Sequence, residues 1–337
     1  MPEIFSVFML KSTIAITGAT GYIGSQILYA LLSRLSREQP VRVIARNSSD
    51  CAFLDPLPVE LARADLLDPL SVMEALKGVN TVFHCAGLIA YASSYREQLY
   101  NTNVIGTRNV VNACIFNKVQ RLVLTSSIAA VGSTGDGTPS LESSSFQDWQ
   151  RRNGYMEAKY LAELEGLRGV AEGLEVVTLN PGVVIGVDRA NPASKSSSNE
   201  VLRMIYNGQI PLSPSGSTGF VDVRDVADAH VAAWERGRSG ERYLIVGHNM
   251  PFRDLFAAVA GMEGSRTGRV FGVPPLLGIL AGLGGEVFSV LSGRPSFISL
   301  ESIRISSRPL LYSNQKSIDE LGLCYRPLSE TLKTIVT

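Results

Sequence analysis

The stretch TGATGYIG, residues Thr17–Gly24, follows the β-rich run Ser12–Thr17 and opens a segment, Gly21–Arg37, with helical apolar spacing. Its first two glycines permit a tight turn in which the backbone approaches a pyrophosphate, and Gly24 permits close packing of the helix on the sheet. The helix start adds free N–H groups and a positive dipole end, which bind phosphate. A strand before this loop and a helix after it predict a dinucleotide-binding site. The loop residues expected to contact the cofactor are Gly18, Gly21, Tyr22, Ile23 and Gly24.

The following residues repeat the same order of strand and helix. Further strand-like runs are residues 41–45, 59–65, 81–85, 121–125 and 174–179, and helical spacing covers residues 68–77, 98–117 and 155–168. Such alternation predicts an α/β fold with a doubly wound parallel sheet of the Rossmann type.

The pattern changes after Pro181, where loops rich in serine, proline and glycine appear. We assign residues 10–183 and 219–247 to the dinucleotide-binding Rossmann domain. A smaller, mainly helical C-terminal domain, which binds the substrate, is assigned residues 184–218 and 248–337.

The composition narrows the classes of function. Hydrophobic residues make up 45% of the chain and charged residues 18%, so a sizeable core can form. Lys+Arg and Asp+Glu both number 31, and without a basic patch we expect no nucleic-acid partner. The four cysteines are scattered, which predicts a cytoplasmic protein without disulfides. The cysteines and the three histidines also lack metal-ligand spacing, so we expect no metal site.

Two apolar stretches bear on membrane association. The N-terminal MPEIFSVFM carries an acid and lacks a basic region, so it does not resemble a signal peptide. The run Phe271–Gly293 contains one charge but is interrupted by glycines and prolines. We interpret it as a buried or lipid-contacting pair of helices rather than a membrane span, and expect no membrane association.

Several further motifs, in order along the chain, make the interpretation more specific. They are ADLLD (Ala64–Asp68), FHCAG (Phe83–Gly87), NTNVIGTRNV (Asn101–Val110), VLTSSIAAVG (Val123–Gly132), YMEAK (Tyr155–Lys159), NPGVVIG (Asn180–Gly186) and FVDVRDVADA (Phe220–Ala229). With the G-x-x-G-x-x-G loop, they resemble the extended branch of the short-chain dehydrogenase/reductase family. The likeness is to its dihydroflavonol-reductase-like, hydroxysteroid-dehydrogenase-like and sugar-epimerase-like members.

The resemblance implies roles for residues outside the glycine loop. By that likeness, Asp65 and Leu66 flank the adenine. Ala86 and Gly87 are expected to line the path to the nicotinamide-side ribose. The nicotinamide amide is expected to lie beside Pro181 and Val184. Asn103 matches an asparagine that supports a proton relay in some members, although it could equally tie neighbouring backbone together.

The end of the second strand predicts the choice of cofactor. NAD-binding members usually place an acid here, which accepts hydrogen bonds from the ribose 2′-hydroxyl. This chain has Arg46, followed by Asn47, Ser48 and Ser49. A guanidinium beside hydroxyl groups suits a 2′-phosphate, so we predict NADP(H), with NAD as the alternative.

The catalytic residues are expected to be Ser127, Tyr155 and Lys159. Tyr155 and Lys159 are four residues apart on a predicted helix and so share one face. A phenol with a reference pKa of about 10 is a poor base near pH 7, and we expect the lysine and an oxidised nicotinamide to lower that pKa. Ser127 aligns with the family's serine that donates to the substrate oxygen, and Ser126 is the alternative.

These features predict hydride transfer between NADP(H) and a carbonyl or secondary alcohol of a small, hydrophobic substrate. One alternative is a nucleotide-sugar epimerase or dehydratase that retains NAD, for which Arg224, Arg242 and Arg253 could bind a nucleotide sugar. A third class is a non-catalytic protein that senses NADP(H), which would not need Tyr155 and Lys159. Helices of this family commonly pair, so a homodimer is a further expectation.

Overall fold

The computed structural model describes residues 13–36, 39–134, 137–187, 191, 196–273, 278, 282–285 and 300–336. Its largest element is a sheet of seven strands in which every neighbouring pair is parallel. The seven strands are β1 (Thr13–Thr17), β2 (Val41–Ala45), β3 (Val59–Arg63), β4 (Val79–His84), β5 (Arg121–Thr125), β6 (Glu175–Pro181) and β10 (Arg242–Ile245).

Their order across the sheet is β3-β2-β1-β4-β5-β6-β10. The chain therefore winds outward in one direction from β1 to β3 and in the other from β4 onward. This confirms the predicted doubly wound sheet, and it places the crevice where such folds bind ligands at the carboxyl ends of β1 and β4.

Helices connect and cover these strands. They are α1 (Tyr22–Arg34), α2 (Pro69–Ala75), α3 (Arg96–Leu99), α4 (Gly106–Phe116), α5 (Asp148–Arg151), α6 (Gly154–Ala171), α7 (Ser197–Tyr206), α8 (Val223–Arg236), α9 (Phe252–Ala260), α10 (Leu300–Ser306), α11 (Gln315–Leu321) and α12 (Leu328–Val336). The helix predicted over residues 98–117 is formed by α3, a π-helical turn at Tyr100–Ile105 and α4 in succession.

Both faces of the sheet are packed. Leu28 of α1 and Val231 of α8 belong to the same apolar cluster as Val43 of β2, while Val110 of α4 packs with Val82 of β4 in a second cluster. All five residues of β1 are buried. Burial on both faces explains why central strands such as β1 are nearly continuous apolar runs, since neither of their faces meets water.

Short strands outside the main sheet form two smaller sheets that the sequence analysis did not predict. They are β7 (Val183–Ile185), β8 (Leu212–Ser213), β9 (Ser217–Asp222), β11 (His248–Pro251) and β12 (Phe271–Gly272). Strand β9 pairs with β7 and β11 in a three-stranded sheet, and β8 pairs with β12. Runs of two to four residues carry little periodic signal, and the partners of a longer run such as β9 are chosen by packing. The boundaries assigned to the two domains stay a prediction.

The C-terminal region is mainly helical in its described part, as expected. Leu202 of α7, Leu255 of α9 and Leu332 of α12 form its apolar core. Most of the run Phe271–Gly293 lies outside the described residues. Within the described residues, no helix combines the length and apolarity needed to cross a membrane.

Candidate functional site

The glycine loop is a tight backbone turn with no room for side chains at two positions. Gly18 has φ +75°, and a Cβ there would lie 2.5 Å from the backbone nitrogen of Ala86. A Cβ on Gly24 would lie 2.1 Å from the carbonyl oxygen of Gly18. The loop therefore needs glycine for its backbone conformation and for the contact between the ends of β1 and β4.

The start of α1 is suited to an anionic group. Gly21 is the N-cap residue, no side chain caps the helix, and its first turn carries no acidic residue. No carboxylate of the helix's own first turn therefore competes for its first N–H groups, and the helix dipole favours negative charge at this end. The described residues thus fit a pyrophosphate at this position.

Two arginines meet beyond the second strand. The side chain of Arg46 is exposed just after β2. Arg63 ends β3 in register with Ala45, and its Nη1 donates to the Arg46 carbonyl oxygen at 2.7 Å. The sequence analysis missed Arg63, which could have been found because neighbouring parallel strands end at the same edge. Its hydrogen bond anchors the backbone of the loop that carries Arg46.

The residues expected beside the adenine lie just past β3. Asp65 is exposed, and its Oδ1 accepts a hydrogen bond from the Leu67 backbone N–H at 2.9 Å. Leu66 is half-buried, and its carbonyl oxygen accepts from Asn109 Nδ2 at 2.7 Å. These bonds fix a turn at the same sheet edge as the glycine loop.

Ser127, Tyr155 and Lys159 converge at the carboxyl ends of β5 and β6. Tyr155 and Lys159 project from the first turns of α6, which is capped by Asn153 through the Met156 N–H at 2.9 Å. Tyr155 is 5% exposed and Lys159 is 9% exposed. Lys159 Nζ donates to the Thr125 carbonyl oxygen at 3.1 Å, which places the ammonium at the end of β5.

The two candidate serines have different surroundings. Ser127 Oγ accepts from the Ala129 N–H at 3.1 Å, and the side chain lies close enough to Tyr155 to lower the pKa of the phenol. Ser126 Oγ is buried with no hydrogen-bond partner among the described residues. It lines a small cavity of about 10 Å³ together with Lys159. Of the two serines, only Ser127 affects the pKa of the Tyr155 hydroxyl.

The electrostatics of the pair differ from the sequence expectation. Burial raises the pKa of Tyr155 above its ordinary value, and Tyr91 raises it further, while the hydrogen bond with Ser127 lowers it. Burial lowers the pKa of Lys159 to about 8, against the raising effects of Glu163 and Cys85. The protein's own groups therefore raise the phenol's pKa, whereas the predicted lowering also depends on a bound oxidised nicotinamide. A hydrophobic surrounding penalises the phenolate.

Asn103 lies in the π-helical turn and holds neighbouring backbone. Its Oδ1 accepts from the Leu88 N–H at 2.8 Å, and its Nδ2 donates to the Leu88 carbonyl at 3.0 Å. A Cβ on Gly87 would lie 3.1 Å from Asn103 Oδ1 and 3.3 Å from Lys159 Nζ. The reciprocal bonds match the backbone-tying alternative and position the loop that passes the lysine.

The remaining predicted cofactor contacts lie along the same edge. Ala86 is half-buried just beyond β4, Pro181 is the buried last residue of β6, and Val184 is half-buried in β7. The Tyr22 hydroxyl donates to the Gly186 carbonyl. This bond joins the start of α1 to the segment after β7.

Tyr91 is an aromatic residue of this crevice that the sequence analysis missed. Its ring packs edge-on against the Tyr155 ring, with centroids 5.6 Å apart. It follows β4 in a segment without periodic pattern, so no local signal singled it out. Leu88, Tyr95 and Leu161 pack on the same cluster, which gives this side of the site an apolar wall.

Comparison with known proteins places this arrangement among nicotinamide-dependent enzymes. The model of the NAD-dependent epimerase/dehydratase family matches residues 14–246, a span that holds the glycine loop and the Tyr155–Lys159 pair. A putative dihydroflavonol 4-reductase of Synechocystis sp. is 29% identical over 95% of this chain and 92% of its own length.

Two further proteins extend the comparison. Cinnamoyl-CoA reductase 1 of Oryza sativa subsp. japonica is 35% identical over 70% of this chain and 72% of its own length. The crystal structure of gox2253 superposes with a TM-score of 0.81 at 30% identity and covers 97% of both chains. The similarity to that structure extends over the C-terminal region as well as the nucleotide-binding sheet.

Proposed function

The chain belongs to the NAD-dependent epimerase/dehydratase family, and we propose that within it this protein is an NADP(H)-dependent reductase of a small, hydrophobic carbonyl compound. The observation that carries the proposal is the convergence of Ser127, Tyr155 and Lys159 in a buried crevice beside the glycine loop. The similar proteins named as reductases support the same class of reaction.

Each residue has a separate task in the proposed reaction. Tyr155 gives its phenolic proton to the carbonyl oxygen during reduction and takes it back during oxidation. Ser127 donates a hydrogen bond to the same oxygen as negative charge develops there. Lys159 holds the ribose hydroxyls and opposes the desolvation of the phenolate. When bound, the nicotinamide cofactor supplies or accepts the hydride.

The apolar wall supports a hydrophobic substrate. Tyr91 and Leu88 pack with Tyr155 in one cluster, and Tyr95 belongs to the same wall. An apolar ring or chain gains about 25 cal/mol per Å² of surface removed from water. A sugar ring, with its many hydroxyl groups, would leave polar atoms unpaired against such a wall.

The proposal of NADP(H) depends on Arg46. The guanidinium is exposed at the end of β2, where it can meet a 2′-phosphate, and Arg63 anchors its loop. Hydrogen bonds to charged groups contribute about 1.5–3 kcal/mol. This corresponds to a roughly tenfold to hundredfold preference for NADPH over NADH.

Arg46→Asp is expected to reverse that preference, because a carboxylate repels the phosphate and accepts hydrogen bonds from ribose hydroxyls. Dissociation constants for NADPH and NADH, measured by fluorescence titration, test this. Arg266→Asp makes the same charge change at an exposed position on another part of the chain and should leave both constants unchanged. Equal affinities for both cofactors in the unsubstituted protein would contradict the NADP(H) assignment.

Cofactor stoichiometry separates the proposed reductase from an epimerase or dehydratase. A reductase is expected to consume one NADPH for each product molecule, because the hydride leaves with the product. An enzyme that retains its cofactor between half-reactions shows no net change in absorbance at the nicotinamide band while product accumulates. Product formation without cofactor consumption would therefore contradict the reductase proposal and favour an epimerase or dehydratase. Tight cofactor binding with no turnover of any carbonyl compound would favour the sensor.

A further inference from the structure

Glu163 lies on the catalytic face of α6, at the third position of an i, i+4, i+8 series with Tyr155 and Lys159. It is 5% exposed. Its Oε1 accepts from Asn180 Nδ2 at 2.5 Å, and its Oε2 pairs with Arg242 Nη1 at 3.0 Å. Burying a carboxylate costs desolvation free energy even when the carboxylate is paired with a cation. The position of Glu163 next to the proposed active site therefore indicates a role in the reaction.

We propose that Glu163 is a positioning residue for the reaction, serving as the counter-charge of the Lys159 ammonium and, through Asn180, as the anchor of the Ser127 backbone. This inference rests on the proposed function, because it assigns a task to a residue that acts on Lys159 and Ser127.

The other groups around Lys159 leave Glu163 as its anionic neighbour. Tyr155 and Glu163 lie four residues before and after Lys159 on the same face of α6, and the charge of Lys159 also acts on His84 and Cys85 at the end of β4. Burial and the charge of Lys159 lower the pKa of His84 to about 3, so the ring is neutral near pH 7. Burial raises the pKa of the Cys85 thiol to about 12, so it too is neutral.

Glu163 therefore opposes the burial that lowers the pKa of Lys159. Arg242, from β10, is the cation that shares this carboxylate. Since Arg242 is also held by the carbonyl oxygens of Glu142 at 2.7 Å and Ser144 at 3.3 Å, it is fixed at the sheet edge.

The second connection runs through a fully buried amide. Asn180 Nδ2 donates to the Ser127 carbonyl at 2.8 Å and to Glu163 Oε1 at 2.5 Å. The same nitrogen thus links the Glu163 carboxylate on α6 to the backbone of Ser127. Loss of the carboxylate removes the charge-assisted acceptor that orients this amide.

The test is the pH dependence of NADPH binding, measured as a dissociation constant by fluorescence titration from about pH 6 to about pH 10. A lysine is charged below its pKa, so the unsubstituted protein should lose affinity as pH rises through about 8. Glu163→Gln keeps the shape and removes the charge. We expect the midpoint of its pH dependence to lie about one pH unit lower, because the negative charge that stabilises the Lys159 ammonium has been lost.

Glu165→Gln is the matched control. Glu165 lies on the same helix and pairs with Arg108 at 2.8 Å and Arg168 at 2.9 Å. Its substitution should leave the midpoint unchanged. Glu163→Asp retains the charge and should stay closer to the unsubstituted protein than Glu163→Gln.

Glu163→Gln leaves the half-buried Arg242 without its ion-pair partner, which destabilises the fold. The double variant Glu163→Gln/Arg242→Gln removes both charges and avoids that penalty, and its midpoint should still lie below that of the unsubstituted protein. Suppose the unsubstituted protein loses NADPH affinity near pH 8, but the midpoint is unchanged in folded Glu163→Gln and in the folded double variant. That result would overturn the role of Glu163 and leave the proposed function intact. Absence of any pH dependence near pH 8 in the unsubstituted protein would overturn it together with the proposed role of Lys159.

Discussion

Tyr155→Phe is expected to lower kcat by about 10²–10⁴-fold, the range attributed to general acid–base catalysis. The substitution removes one oxygen and leaves the ring in its apolar cluster with Leu99 and Val104. We therefore expect the dissociation constant for the cofactor to change less than about twofold, since no large change in volume occurs. Steady-state kinetics on a carbonyl compound that the unsubstituted protein reduces, together with cofactor titration, measure both effects.

Tyr91→Phe provides the control because it removes the same atom from a ring 5.6 Å away. It should retain most of the activity if Tyr155 alone transfers the proton. Near-normal kcat for Tyr155→Phe would show that the tyrosine assignment is wrong. An equally large loss in both variants would mean that the two phenols act together.

Gly18→Ala is expected to weaken cofactor binding by about a hundredfold or more. A Cβ at this position meets the backbone of Ala86 at 2.5 Å, so the turn or the end of β4 must move. Displacement of the loop removes contacts to charged phosphates, each of which contributes about 1.5–3 kcal/mol. Two such contacts account for a change of this size.

Gly78→Ala separates this effect from simple backbone strain. Gly78 has φ +73°, close to the +75° of Gly18, but a Cβ there would meet nothing within 4 Å. We expect Gly78→Ala to lose about 1–2 kcal/mol of unfolding free energy and to bind the cofactor normally. Urea denaturation and fluorescence titration of both variants give the comparison. Normal cofactor affinity in folded Gly18→Ala would show that the glycine loop does not bind the cofactor as proposed.

The local motifs predicted much of the fold and the candidate site. The Thr17–Gly24 loop has the predicted strand before it and helix after it, and Tyr155 and Lys159 share one face of α6. Such features are set within a few residues, by glycine's conformational freedom and by the helical repeat. The parallel sheet followed from the alternation of apolar strands with helices, because this pattern has few compact solutions.

Contacts between distant residues could not be predicted in this way. Glu163 and Arg242 are 79 positions apart in sequence, and Asn180 reaches Ser127 across 53 positions. Short strands such as β9 were also missed as members of a separate sheet, since their partners are chosen by packing. In each case the order of the strands across the sheet brings the two distant residues or strands together. No single stretch of sequence specifies that order.

By itself, the sequence determined the type of sheet, the glycine loop at its edge and the candidate residues for proton exchange, since each depends on local backbone geometry or side-chain chemistry. Only the tertiary structure decided how charged those residues are. Burial raises the pKa of Tyr155 and lowers that of Lys159, while Glu163 raises the latter. Solvation and electrostatic interaction depend on what surrounds a group in three dimensions, and those surroundings come from segments far apart in the chain.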